Sequence, residues 1–66
     1  MIPLNSSCLL GADYNPATRQ MLIWFHTREE PYPFYRVPPE VFHDLINAIG
    51  RHGECYHETI RGRYGP

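Results

Sequence analysis

The spacing of hydrophobic positions changes once along the chain, and the change separates a strand-forming part from a helix-forming part. From Ser6 to Tyr14 the apolar residues Cys8, Leu9, Leu10 and Ala12 lead into the aromatic Tyr14, and Asn15-Pro16-Ala17-Thr18-Arg19 follows. Asn-Pro initiates turns and Pro16 pre-sets φ for the second turn position, so this stretch is predicted as a strand running into a turn. Gly11 marks a bulge within it. Gln20 to His26 is apolar through its centre and rich in branched and aromatic side chains, which favours a second strand over a helical turn. Alternation puts Met21, Ile23 and Phe25 on one face and Leu22, Trp24 and His26 on the other. The polar stretch Thr27 to Pro31 closes a hairpin, and Tyr32-Pro33-Phe34-Tyr35-Arg36-Val37 forms a third strand. Within it Tyr32 and Phe34 share one face, and Pro33, Tyr35 and Val37 the other. Pro33 has no N–H for a ladder, so this strand belongs at a sheet edge or holds that position outward.

From Pro38 the spacing becomes helical. Val41, Phe42, Leu45, Ile46 and Ile49 lie three and four residues apart and make one apolar stripe. The first helix is predicted from about Pro39 to about Ile49, with proline in its first turn and Gly50 at its C-cap. A second, shorter helix is read over Glu54 to Arg63, where Cys55, Tyr56, Thr59 and Ile60 keep helical spacing behind a poor N-cap. The expected fold class is α+β: a three-stranded antiparallel meander followed by two short helices packed on one face. The whole of 1–66 reads as one domain, without repeat, linker or low-complexity stretch.

Composition narrows the function. A chain of 66 residues buries only about 60% of the surface its unfolded form exposes, which leaves little apolar area for a deep substrate cleft. No enzyme is expected. Catalysis through Cys8 or Cys55 would need a positioned base and an oxyanion-stabilising pocket. No phosphate loop, nucleophile elbow or paired metal motif is present. Two cysteines permit at most one disulfide, which is not a disulfide scaffold, and a reducing cytoplasm is the expected compartment. Met1 to Leu10 has no basic residue ahead of its short apolar stretch and no apolar run of bilayer length, so neither signal peptide nor membrane segment is expected.

The net charge of −1 provides no global field for nucleic acid, so any basic site must be local. All six bases are arginine. Arginine forms forked contacts with phosphate and stacks on rings, which suits an interface, although codon bias in a GC-rich genome gives the same count.

Four constellations follow from these residues. Tyr32, Phe34, Tyr35 and Arg36, with Trp24 on the neighbouring strand, have the aromatic and arginine character of sheet modules that stack bases. In so small a chain most of these rings are equally needed as core. The C-terminal segment joins Arg51, Arg61 and Arg63 to His52, His57 and Tyr64. Arg61 and Tyr64, three apart on a helix, would present one phosphate-gripping face; the alternative is a solvated face with Glu58 pairing to Arg61. His52, Cys55 and His57, with Cys8, His26 or His43 from elsewhere, supply zinc-type ligands but not the paired spacing of structural zinc sites. A buried Cys55 and surface histidines fit that segment better. No metal and no cofactor are expected, and catalysis ranks last of the four.

The order of several short motifs resembles the KTSC domain, a module named for the C-terminus of some lysyl-tRNA synthetases and also found as a stand-alone bacterial or phage protein. The resemblance rests on Ser6-Ser7, Tyr14-Asn15, the alternating Met21, Ile23 and Phe25, Tyr32-x-Phe34, Val37-Pro38, Ala48, Gly53, Tyr56, Ile60-Arg61 and Tyr64. It covers nearly the whole chain. The family's central Tyr-x-Tyr is Tyr32-Pro33-Phe34 here, without the second hydroxyl; Gly50 stands where relatives carry serine, and His57 where they carry asparagine. The resemblance brings no established biochemical activity, and through the tRNA synthetase it implies an association with RNA.

The expected function is therefore a small binding module. RNA or another nucleic acid would be held by Arg36, Arg51, Arg61 and Arg63, with Tyr64, Tyr32 or Trp24 available for stacking. The alternative is a protein partner or homodimer joined through the third strand as an exposed edge.

Overall fold

Two of the predicted strands form where alternation is strongest, and prolines mark where the sheet stops. The computed structural model describes residues 1–64; Gly65 and Pro66, the last two residues of the expected domain, lie outside the described residues. The elements run β1 (Ile2–Pro3), β2 (Leu9–Asn15), β3 (Gln20–Phe25), β4 (Tyr32–Phe34), α1 (Pro39–Asn47) and α2 (His52–Thr59). The sheet is antiparallel in the order β1-β2-β3-β4, with both helices following it in sequence, and the class is α+β. The sheet has four strands, not three. β1 is only two residues long, too short to show a period, and pairs Ile2 with Ala12 and Pro3 with Gly11.

The β2–β3 register shifts between Leu9 and Gly11, which leaves Leu10 as the extra residue of the expected bulge. A Cβ on Gly11 would press into the Met1 side chain and lie 2.9 Å from the Ile2 carbonyl oxygen, so only glycine lets β1 cross this closely. Met21 and Ile23 are fully buried, whereas Leu22 and Trp24 stay half-exposed on the open face of the sheet. The helices cover the first face, where Phe42, Leu45 and Ile60 join Leu9, Ala12 and Phe34 in one core.

The third strand is shorter than predicted because the backbone turns over. Arg36 takes the left-handed conformation (φ 57°), which sends Val37 into the core instead of leaving it on the outer face. That conformation costs a residue with a Cβ on the order of 1 kcal/mol. It is offset by burial of Val37 and by two hydrogen bonds: the Val37 N–H donates to the Arg19 carbonyl (2.9 Å), and the Tyr14 hydroxyl donates to the Val37 carbonyl (2.6 Å). The Tyr14 ring stacks on Phe42 at 5.0 Å, so one tyrosine fastens β2, the β4–α1 connection and α1 together.

Both helices depart from their predicted ends. α1 begins with Pro39 in its first turn, as expected, but its C-cap is Ala48 and not Gly50. Ile49 falls outside the helix and is 80% exposed, so it does not belong to the apolar stripe. α2 starts two residues early and stops at Thr59, four residues short of Arg63. Arg51 at its N-cap makes no side-chain capping bond. Near the other end the Thr59 hydroxyl donates to the Cys55 carbonyl (2.7 Å), and Gly62 adopts φ 78°, a reversal suited to glycine.

Both borders of the sheet are closed by proline. In β4, Pro33 has no N–H, so the ladder to β3 runs through Tyr32 and Phe34, and Pro33 faces outward. The next outward N–H, that of Tyr35, donates to the Tyr64 carbonyl (3.2 Å). In β1, Leu4 donates inward to the Leu10 carbonyl (3.1 Å), which leaves Pro3 facing out. The edge location of Tyr32–Phe34 is as predicted, but this edge does not offer the row of free donors that strand addition uses.

Candidate nucleic-acid interface

The core-facing side chains of β3 and β4 continue past the helices into a groove at the side of the molecule. Phe25 from the end of β3, Tyr32 and Phe34 from β4, and Tyr56 from α2 form its aromatic walls, in a space of about 480 Å³. The rings hold each other: Tyr56 meets Phe25 edge-on at 5.5 Å and Phe34 edge-on at 6.1 Å, and Tyr32 lies tilted against Phe34 at 5.2 Å. Rings locked in this way lose little freedom when a ligand arrives.

Two guanidinium groups stand at the rim. Arg28, from the β3–β4 loop, lies over the Tyr32 ring with its carbon 5.0 Å from the centroid. Arg61, on the turn after α2, has its nitrogen 3.3 Å from Nδ1 of His57. Both arginines are exposed. The ion pairs among the described residues are the Met1 amine with Asp13 and Arg51 with Glu54, so neither rim arginine is neutralised by a carboxylate there. Burial pushes the Tyr56 phenol above the ordinary tyrosine range, Arg61 pulls it back, and Tyr32 pushes it up again. Tyr56 therefore keeps its proton at neutral pH and is a hydrogen-bond donor.

Of the residues expected to bind nucleic acid, the structure brings Tyr32 and Arg61 together in this groove. Trp24 pairs with Gly11 on the other face of the sheet and is not part of it. Arg51 sits at the opposite end of α2, roughly 12 Å of helix away, and its Nε is 3.2 Å from Glu54. Arg61 and Tyr64 do not share a helix face, because α2 ends before both; Tyr64 turns toward the core. The Tyr35–Tyr64 hydrogen bond sets the segments carrying Arg36 and Arg63 side by side at the β4 border, outside the groove. The alternative pairing of Glu58 with Arg61 is not formed; Arg61 meets His57 instead.

The histidines considered as metal ligands have other partners. His52 is buried at 4% exposure, where a surface position was expected. Its Nδ1 accepts the Asn5 N–H (2.9 Å), which fixes the proton on Nε2, facing the Ile46 carbonyl (3.4 Å). Cys55 is half-buried beside Thr59, and Cys8 is exposed; both thiols are free. His26 faces the Ser6 carbonyl and His43 lies edge-on to Phe42. No group of three or more potential ligands converges among the described residues.

Arg28, Phe25 and Tyr56 were not anticipated as site residues. Arg28 lies in a polar loop with no periodicity to orient it, so nothing in its spacing pointed to the contact with Tyr32. Phe25 and Tyr56 looked like core, and they are core on one side and groove wall on the other.

Comparison with known proteins agrees with this architecture. The KTSC domain profile matches residues 5–64. The chain belongs to the KTSC domain family. A protein of Tsukamurella paurometabola is 44% identical over 48 residues, which cover 73% of this chain and 70% of that one. The crystal structure of a KTSC domain protein from Yersinia pestis superimposes with a TM-score of 0.83 at 26% identity, covering 94% of this chain and 84% of that one. The KTSC match spans both walls of the groove, from Phe25 to Tyr56 and Arg61. No helix among the described residues is long and apolar enough to cross a membrane.

Proposed function

We propose that this KTSC domain is a non-catalytic module that binds single-stranded RNA through the groove between β4 and α2. The observation that carries the reading is the meeting of four aromatic walls with two arginines that have no carboxylate partner among the described residues. Unstacked bases are held on aromatic side chains and on guanidinium planes, while phosphates take the arginine N–H groups. Arg28 and Arg61 are the phosphate contacts in this reading; Arg36 and Arg63 stand outside the groove, at the β4 border. Arg51 and Trp24 are not required. The site of action is the cytoplasm, where Cys8 and Cys55 stay reduced.

The test is a titration of the labelled domain with a short single-stranded RNA at two salt concentrations. Binding that weakens with salt and drops by about tenfold or more in the Arg28→Ala/Arg61→Ala double variant, a loss of about 1.4 kcal/mol, supports the assignment. Unchanged affinity in that variant refutes it.

A protein partner or self-association remains the second reading, and here it moves from the edge to the face. Leu10 is 41% exposed beside half-exposed Trp24 and Leu22 on the open side of the sheet. Concentration-dependent sedimentation that Trp24→Ala abolishes would favour it.

A further inference from the structure

The groove has dimensions as well as chemistry. Its volume of about 480 Å³ falls within the roughly 300–1,000 Å³ of sites that enclose a single small ligand. Four aromatic rings line it, with Thr27 and Gly62 beside them, and its cations are confined to two points on the rim. A long strand on a stacking platform meets a different surface, with successive rings beside a continuous basic track. Here the other arginine associated with α2 is at its far end and ion-paired to Glu54.

We infer that the groove is a one-nucleotide site: it takes one nucleoside monophosphate unit, with the base against Tyr32 and Tyr56 and the phosphate on Arg28 and Arg61. This inference rests on the nucleic-acid reading for its ligand chemistry and goes further by fixing the size of the recognised unit. Arg28 over the Tyr32 ring serves twice, because a guanidinium that stacks on a ring keeps its N–H groups free in its own plane. The protonated Tyr56 hydroxyl adds a donor near Arg61 for a base edge or a phosphate oxygen. The unit comes either as a free nucleotide or as one unstacked nucleotide of a strand. In both cases the groove neutralises one phosphate with two arginines.

The full chain, isotope-labelled, is titrated in parallel with AMP, UMP, adenosine, inorganic phosphate and a single-stranded RNA hexamer, and followed by NMR. Either monophosphate should shift Arg28, Arg61, Tyr32 and Tyr56. Adenosine and phosphate, each lacking half of the unit, should bind about tenfold or more weaker, within the range one stacked base contributes. The hexamer should shift the same residues, with a log–log salt slope of about −0.7, the value for one neutralised phosphate on a single strand. Arg61→Ala, an exposed position, should weaken monophosphate and hexamer alike.

Hexamer binding with no response to monophosphates, or a slope that steepens with strand length, would overturn the one-nucleotide site and leave the RNA reading standing. Monophosphate binding without hexamer binding would keep the site, identify a free nucleotide as its source and end the RNA reading. Silence toward every ligand would remove both.

Discussion

The two helices are fastened to the same sheet by different means. α1 holds on by apolar burial: Phe42 and Leu45 enter the core, Val41 and Ile46 flank them, and Pro39 sets its first turn. α2 has a single buried residue within its bounds, the polar His52, and its next buried side chain, Ile60, lies just past its end. It lacks a side-chain N-cap; its one buried imidazole accepts the Asn5 N–H and faces the Ile46 carbonyl, and Cys55 and Tyr56 pack against the core from half-buried positions. The helix that carries the fold has no part in the groove. The helix that lines the groove through Tyr56 contributes little apolar burial of its own, which leaves its surface free for chemistry.

Four variants test that contrast, from the largest effect to the smallest. Leu45→Ala on α1 should cost about 2–5 kcal/mol in denaturant unfolding, since Leu45 is fully buried and the sheet beneath it cannot collapse to fill the space. His52→Ala should cost less, about 1–3 kcal/mol, mostly from leaving the Asn5 N–H without its partner. Its loss should also speed amide exchange in α2 more than in α1; equal acceleration in both helices would end the contrast. Tyr14→Phe keeps the stack on Phe42 and removes only the hydroxyl, so about 0.5–1.5 kcal/mol is expected, again by denaturant unfolding. Arg28→Ala with Arg61→Ala should change stability by less than about 0.5 kcal/mol, as exposed rim residues do. A large loss of stability there would mean that the groove is a structural element rather than a binding surface.

The sequence announced β3 because its buried positions alternate, and β2 because an apolar run leads into the Asn15-Pro16 turn. Met21 and Ile23 were legible from that alternation, Leu9 from the apolar run of β2, and Leu45 from the three-and-four spacing of α1. β1 was not, since a pair of residues carries no period. Val37 was placed on the wrong face because the reversal at Arg36 is a backbone event, with no glycine to signal it. His52 was read as a surface residue because its main partner, Asn5, is 47 residues away in sequence. At the site, Tyr32 and Arg61 were named from their residue types, but grouping them with Arg28 required knowing that the β3–β4 loop folds back over β4. Spacing reports which side of an element faces inward; it does not report which loop reaches the rim.

The outward prolines at the two borders of the sheet bear on how copies of the chain behave when crowded. Fibrils grow by adding strands to an open edge, and here neither Pro3 nor Pro33 has an amide to offer. Growth must wait until an outer strand peels away and bares β2 or β3, whose Met-Leu-Ile-Trp-Phe run is the most aggregation-prone stretch of the chain. The lag before fibrils form is then set by local opening. Pro33→Val, which restores one outward amide, should shorten that lag in a dye-binding assay at equal stability, and an unchanged lag would place the vulnerable step elsewhere.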